Sequence, residues 1–157
     1  MKQLSLGSIF HMPWLEYRHA TPDGRVVLRL RTGRDEFEKV AVQVANPYNF
    51  PDPFATGKTY ELAIAYRDDL YDFYEVAFIP DDPRFKYLFF LYADSGRAFR
   101  LDATGLRTGA EGFNDISECF TFAYAYPADP MEVGVSKLAR SVSSFCTLLL
   151  AISILVT

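Results

Sequence analysis

The sequence predicts an all-β domain, an immunoglobulin-like antiparallel β-sandwich of seven or eight strands followed by an apolar C-terminal tail. Three observations lead there. Between residues 25 and 126, runs of five to nine residues alternate apolar and polar positions, and each ends at Gly, Pro or Asp. That is the period-two signature of half-buried strands. No long amphipathic helix separates the runs, which argues against parallel βαβ units. The chain of 157 residues is 50% hydrophobic and 16% aromatic, with 14 Phe and 10 Tyr, enough apolar surface for a single core at this length.

The first strand spans 25–32, after the turn Pro22-Asp23-Gly24, with Val26, Leu28 and Leu30 on one face and Val27, Arg29 and Arg31 on the other. Successive side chains of a strand point to opposite faces, so one side is buried. The second, 38–45, carries Val40, Val42 and Val44 and stops at Asn46-Pro47, which opens a loop through Pro51 and Pro53. The third, 59–66, places Tyr60, Leu62, Ile64 and Tyr66 on one face, and Arg67-Asp68-Asp69 makes the next turn. A fourth, 71–79, ends at Pro80-Asp81-Asp82-Pro83. Residues 85–93 are apolar on both faces and therefore central. Asp94-Ser95-Gly96 turns them into 97–101. The last strand, 118–126, sets Phe120, Phe122, Tyr124 and Tyr126 against Cys119, Thr121, Ala123 and Ala125.

Three segments follow from this pattern: the sandwich at 1–130, a linker at 131–140 and a tail at 141–157 that holds no charged residue. Seventeen uncharged residues lie at the short limit for a membrane span, so one alternative reading is a tail-anchored membrane protein with a soluble β-sandwich interaction domain. The other is a tail that docks as a strand or helix, and a membrane is not the expected partner. The net charge of -4 and scattered Lys and Arg argue against nucleic acid. Cys119 and Cys146 could make one bridge at most, and Met1 to Phe10 lack an export signal, so a cytoplasmic location is expected.

Motifs for catalysis are missing. No phosphate loop, GxGxxG, CxxC or HExxH occurs, and no GxSxG elbow supports a nucleophilic serine. His11 and His19 lack neighbouring ligands and read as surface or turn residues. The acid pairs Asp68-Asp69 and Asp81-Asp82 sit in turns and cannot flank a sugar from opposite sides as glycoside hydrolysis requires. No cofactor and no metal is expected. The aromatic rings remain, since a flat ring stacks on the apolar face of a sugar. Trp14, Tyr48, Phe50, Tyr71 and Tyr74 are candidate carbohydrate-binding or interface residues, each weighed against core packing. Tyr48 and Phe50 stand out because their Pro-flanked loop has no strand face to occupy.

The order of motifs carries more. Leu28-Arg29-Leu30-Arg31-Thr32 with Asp35, Pro47-Tyr48, Tyr71-Asp72-Phe73-Tyr74-Glu75-Val76, Arg84-Phe85-Lys86-Tyr87 with Phe89 and Leu91, Gly112-Phe113 and the closing aromatic strand follow one another. Together, from about Phe10 to Pro130, they resemble the N-terminal domain of neopullulanases, cyclomaltodextrinases and maltogenic amylases. These are glycoside hydrolase family 13 enzymes whose N-terminal domain is classed as carbohydrate-binding module family 34. The resemblance implies a module for α-glucan or cyclodextrin that precedes a catalytic (β/α)8 barrel and packs against the barrel of a partner subunit. After Pro130 the family continues through a Trp-containing linker into the first barrel strand, whereas this chain reads Met131-Glu132-Val133-Gly134-Val135-Ser136. The expectation is therefore a truncated or frame-shifted reading frame without the barrel. No catalytic residue carries over, so the chain alone is not expected to hydrolyse glycosidic bonds.

Overall fold

A computed structural model of the chain describes residues 4–49, 52, 54–109 and 116–123. All of them fall within the unit Met1–Tyr124. The linker, the tail, Gly112-Phe113, Phe50, Cys146 and the end of the last strand lie outside the described residues.

The described residues form nine antiparallel strands: β1 Arg18–Ala20, β2 Val26–Gly33, β3 Lys39–Ala45, β4 Lys58–Arg67, β5 Tyr71–Phe78, β6 Arg84–Tyr92, β7 Ala98–Asp102, β8 Gly105–Thr108 and β9 Phe120–Ala123. There is no α-helix among them, only two 3-10 turns, Leu6–Ser8 and Ile116–Glu118. Hydrogen bonding runs in the order β1-β2-β5-β4-β3-β6-β7-β8, with β9 on β6. The sheet curls because β4 serves two neighbours in succession. Its residues Lys58 to Leu62 pair with β3, and Ala63 to Arg67 pair with β5. β6 is as central as its apolar run demands. β3 lies along one edge, while β7 and β9 share the other end to end, opposite Phe89–Tyr92 and Arg84–Tyr87 respectively.

The core lies inside the curl. Val26, Leu28 and Leu30 are fully buried, as are Val40, Val42, Tyr87, Phe89 and Leu91, each aliphatic side chain contributing roughly 1.5–3 kcal/mol. Tyr74 and Phe78 of β5 close the other side.

Four sequence expectations change. Nine strands are present rather than seven or eight, because β1 and β8 hold only three and four residues. The strand expected from residue 118 begins at Phe120, since Glu118 belongs to the turn before it. Tyr66 does not share a face with Tyr60, Leu62 and Ile64. The register shifts between Ile64 and Tyr66, so Ala65 is an extra residue, and such a bulge turns the following side chain over. Finally, His11 is no surface residue. It is 7% exposed and packs against the rings of Tyr17, Tyr87, Phe89 and Phe120. His19, in β1, is half-buried with Nδ1 3.0 Å from the Leu15 carbonyl.

The turn at Asp35 ties two of the ordered motifs together. Asp35 has φ 54°, a left-handed conformation costly for most side chains. Its N–H donates to Asp72 Oδ2 at 2.8 Å, and Asp72, wholly buried, has its other oxygen 3.1 Å from Arg67 Nε. That second contact is an ion pair by distance but lacks hydrogen-bond alignment.

Candidate functional site

Two loops beside the start of β4 line a small recess. Asn46-Pro47 ends β3, and the Asn46 side chain works in both directions. Its Oδ1 accepts the Tyr48 N–H at 2.8 Å, the local turn that Asn favours, and its Nδ2 donates to Asp82 Oδ2 at 2.7 Å on the loop after β5. Lys58, at the start of β4, reaches Asp81 Oδ1 at 2.7 Å. That bond holds the ammonium pKa above its usual value. Between them the chain passes through Gly57, where a Cβ would lie 2.7 Å from the Val44 carbonyl oxygen and 2.9 Å from that of Phe54. Only glycine lets this loop lie against β3.

The recess between the loops measures about 80 Å³, with Asn46, Lys58, Tyr60, Asp81 and Asp82 at its rim and Phe85 and Phe78 below. Tyr60 stacks on Phe78 with centroids 4.4 Å apart and planes at 18°. Burial raises the Tyr60 hydroxyl pKa, so it remains a donor at neutral pH. At 80 Å³ the recess is too small to engulf a sugar, since pockets that do so run to ~300–1,000 Å³. It sets carboxylates, an amide and an ammonium beside the aromatic side chains of Tyr60, Phe78 and Phe85.

The five aromatic candidates do not meet in one place. Tyr48 is 65% exposed on the loop that forms the recess. Phe50 is outside the described residues. Trp14, 61% exposed, borders a separate open groove of about 680 Å³ with Leu15, Arg18, His19 and Phe122. Tyr71 stands half-buried on the outer face of β5 with the Arg31 guanidinium 4.4 Å from its ring centre. Tyr74 is a core residue. It is 3% exposed, its hydroxyl donates to the Phe37 carbonyl at 2.9 Å, and burial pushes its pKa up to about 12. It offers no ring face to a ligand.

The sequence alone did not single out Asn46, Lys58 or Tyr60, and it read Asp81-Asp82 only as a pair of turn acids. Each read as a strand or turn residue, and only the curl of the sheet brings them together. Among the described residues there is no cluster of three or more His, Cys, Asp or Glu side chains able to hold a metal. No helix among them is long and apolar enough to cross a membrane.

The described strands thus form an antiparallel sheet of the immunoglobulin-like class, with aromatic and polar groups on its connecting loops. The family model described as "Alpha amylase, N-terminal ig-like domain" matches residues 4–126, and the chain belongs to this family. It is 29% identical over 128 residues to a "Maltogenic alpha-amylase" of Bacillus acidopullulyticus, a match that takes in 78% of this chain and 20% of the relative. Among solved structures, one titled "Cyclomaltodextrinase" superposes with a TM-score of 0.67 at 20% identity, over 78% of this chain and 20% of that one. A second, titled "The type III pullulan hydrolase from Thermococcus kodakarensis", reaches a TM-score of 0.44 at 17% identity, over 62% of this chain and 16% of its own. The chain thus spans about a fifth of the length of the curated relative, and what it matches there is the N-terminal immunoglobulin-like domain, not the catalytic one.

Proposed function

We propose that this domain is the α-glucan-binding and subunit-interface module of a glycoside hydrolase family 13 enzyme, taking starch-type chains or cyclodextrins. The recess beside Tyr48 is the observation that carries the reading. Its polar pairs, Lys58 with Asp81 and Asn46 with Asp82, would be unremarkable as loop ties alone. Their placement around a stacked Tyr60 and Phe78 adds an apolar surface. A sugar needs both, C–H groups on a ring and hydroxyls on charged or amide partners. The names of the relatives, maltogenic amylase and cyclomaltodextrinase, point to the same ligand class. Trp14 and Leu15, 61% and 82% exposed beside the open groove, supply the apolar anchors of an interface with a (β/α)8 barrel of a partner subunit.

Hydrolysis is assigned to that barrel. Asp81 and Asp82 are adjacent on one loop, and two carboxylates that cleave a glycoside must face the bond from opposite sides. Isothermal titration of the chain with β-cyclodextrin and with soluble starch tests the binding half of the proposal. Heat that saturates at or below millimolar ligand is the expected result. A flat titration with both ligands would leave the interface role alone standing.

A further inference from the structure

We infer that the outer face of β2, β5 and β4 holds a second saccharide platform, centred on Tyr66. Across this face Phe10, Arg31, Phe73 and Tyr66 occupy one cross-strand row, since Phe10 bridges Arg31, Arg31 pairs with Phe73 and Phe73 with Tyr66. Tyr66 ends the row. One face of its ring stacks on Phe73, with centroids 4.1 Å apart and planes at 12°. Tyr66 is nevertheless 45% exposed. β3 pairs with β4 only as far as Leu62, so no described strand lies beyond it.

The position is made by the bulge. Regular alternation after Leu62 and Ile64 would turn Tyr66 toward the core, and the extra residue Ala65 brings it out instead. Bulges that re-aim a side chain recur beside binding sites. A bulge also protects an exposed edge from pairing with another chain, but that purpose is served by a charged residue and does not call for an outward tyrosine.

The ligand class follows from the charges around the ring. Arg29 lies 5.8 Å from the Tyr66 centroid and is bound by Glu75 through both Nε and Nη2, at 3.0 and 2.7 Å to the same Oε2. Arg67 is paired with Asp35 and Asp72. The two arginines flanking the ring thus each carry a carboxylate, and Arg31, farther along the row, lies against the Phe10 and Tyr71 rings at 4.9 and 4.4 Å, so the surface around Tyr66 itself has little pull on a phosphate or an acidic peptide. An uncharged polyol is the match, its C–H face on Tyr66 and its hydroxyls on Glu75 and Arg29.

This inference rests on the proposal that the module binds α-glucans and adds a second point of attachment. Tyr60 and Lys58 at the recess are six and eight residues from Tyr66 along β4, roughly 20 and 26 Å at strand rise. A polymer can engage both sites, and bivalent attachment raises avidity by about 10²-fold or more without new contacts. A single small cyclodextrin fills one site at a time.

The test is the stoichiometry and affinity of the whole chain, Tyr66→Ala and Tyr66→Phe for β-cyclodextrin and soluble starch, with thermal unfolding to verify folding. Two cyclodextrins per chain, falling to one in Tyr66→Ala but not in Tyr66→Phe, with starch affinity reduced about tenfold or more, is the expected result. One cyclodextrin per chain, unchanged in Tyr66→Ala, overturns the platform and leaves the glucan-binding module intact. One cyclodextrin that Tyr66→Ala abolishes supports the platform and removes the recess. No binding by any form overturns the module and the platform together.

Discussion

His11 Nε2 lies 2.8 Å from the Tyr87 hydroxyl, and its Nδ1 lies 2.7 Å from the Arg29 carbonyl. A carbonyl can only accept, so Nδ1 carries the proton and Nε2 accepts from Tyr87. The neutral imidazole thus joins the edge of β2 to β6 across the core, with aromatic rings around it. A charged one would sit in the same apolar surroundings without a counter-ion from Tyr87.

Acid should therefore weaken the fold through His11. Burial lowers its pKa from 6.5 to about 4, opposed by the hydrogen bond to Arg29 and assisted by the charge of Arg18. Below pH 6.5 the unfolded chain takes up a proton that the folded state refuses, so stability falls as pH drops from 6.5 toward 4. Between pH 7 and 5 the loss is about 2 kcal/mol. Urea unfolding at the two pH values measures it. His11→Gln should be less stable at pH 7, yet flat between them.

Arg100 and Asp102, 4% and 1% exposed, form a buried ion pair at 3.1 Å, and Asp102 also accepts the Thr104 N–H at 2.9 Å. Arg100 reaches Glu118 at 3.3 Å, which retains part of the compensation. Asp102→Ala should cost about 3 kcal/mol, the lower end for breaking a buried pair. The shift in denaturation midpoint gives the value.

At Gly57 an added methyl meets backbone rather than a movable side chain. Gly57→Ala should destabilise by about 1–3 kcal/mol, as overpacking does, and should also weaken any ligand held at the recess. Thermal unfolding and titration on the same sample separate the two effects.

Tyr48, by contrast, is mostly solvent-exposed. Tyr48→Ala should change stability by no more than about 0.5 kcal/mol while lowering cyclodextrin affinity at the recess about tenfold. Equal affinity in both proteins would remove Tyr48 from the site.

Most of the sheet was legible because its long strands alternate. Val26, Leu28 and Leu30 announced their buried face, and the two-sided apolar run of β6 announced its central place. β1 and β8 were not legible, because three or four residues show no periodicity. Nor was the bulge at Ala65, which no turn or glycine signal in β4 marks. His11 read as a turn residue because nothing local reveals that Tyr87, 76 positions away, supplies its partner. Of the recess the sequence marked only the loop after β3, through the exposed Tyr48 on it. The lining residues Asn46, Lys58, Asp81 and Asp82 converge through the pairing of β3, β4 and β6, and no spacing along the chain encodes that.

The most direct test of the proposed glucan binding is a map of backbone amide shifts in the isotope-labelled chain as β-cyclodextrin is added. Binding at the recess predicts the largest changes at Asn46, Tyr48, Lys58, Tyr60, Asp81 and Asp82, saturating together at one affinity. A spectrum in which these amides stay unmoved at millimolar ligand would contradict it.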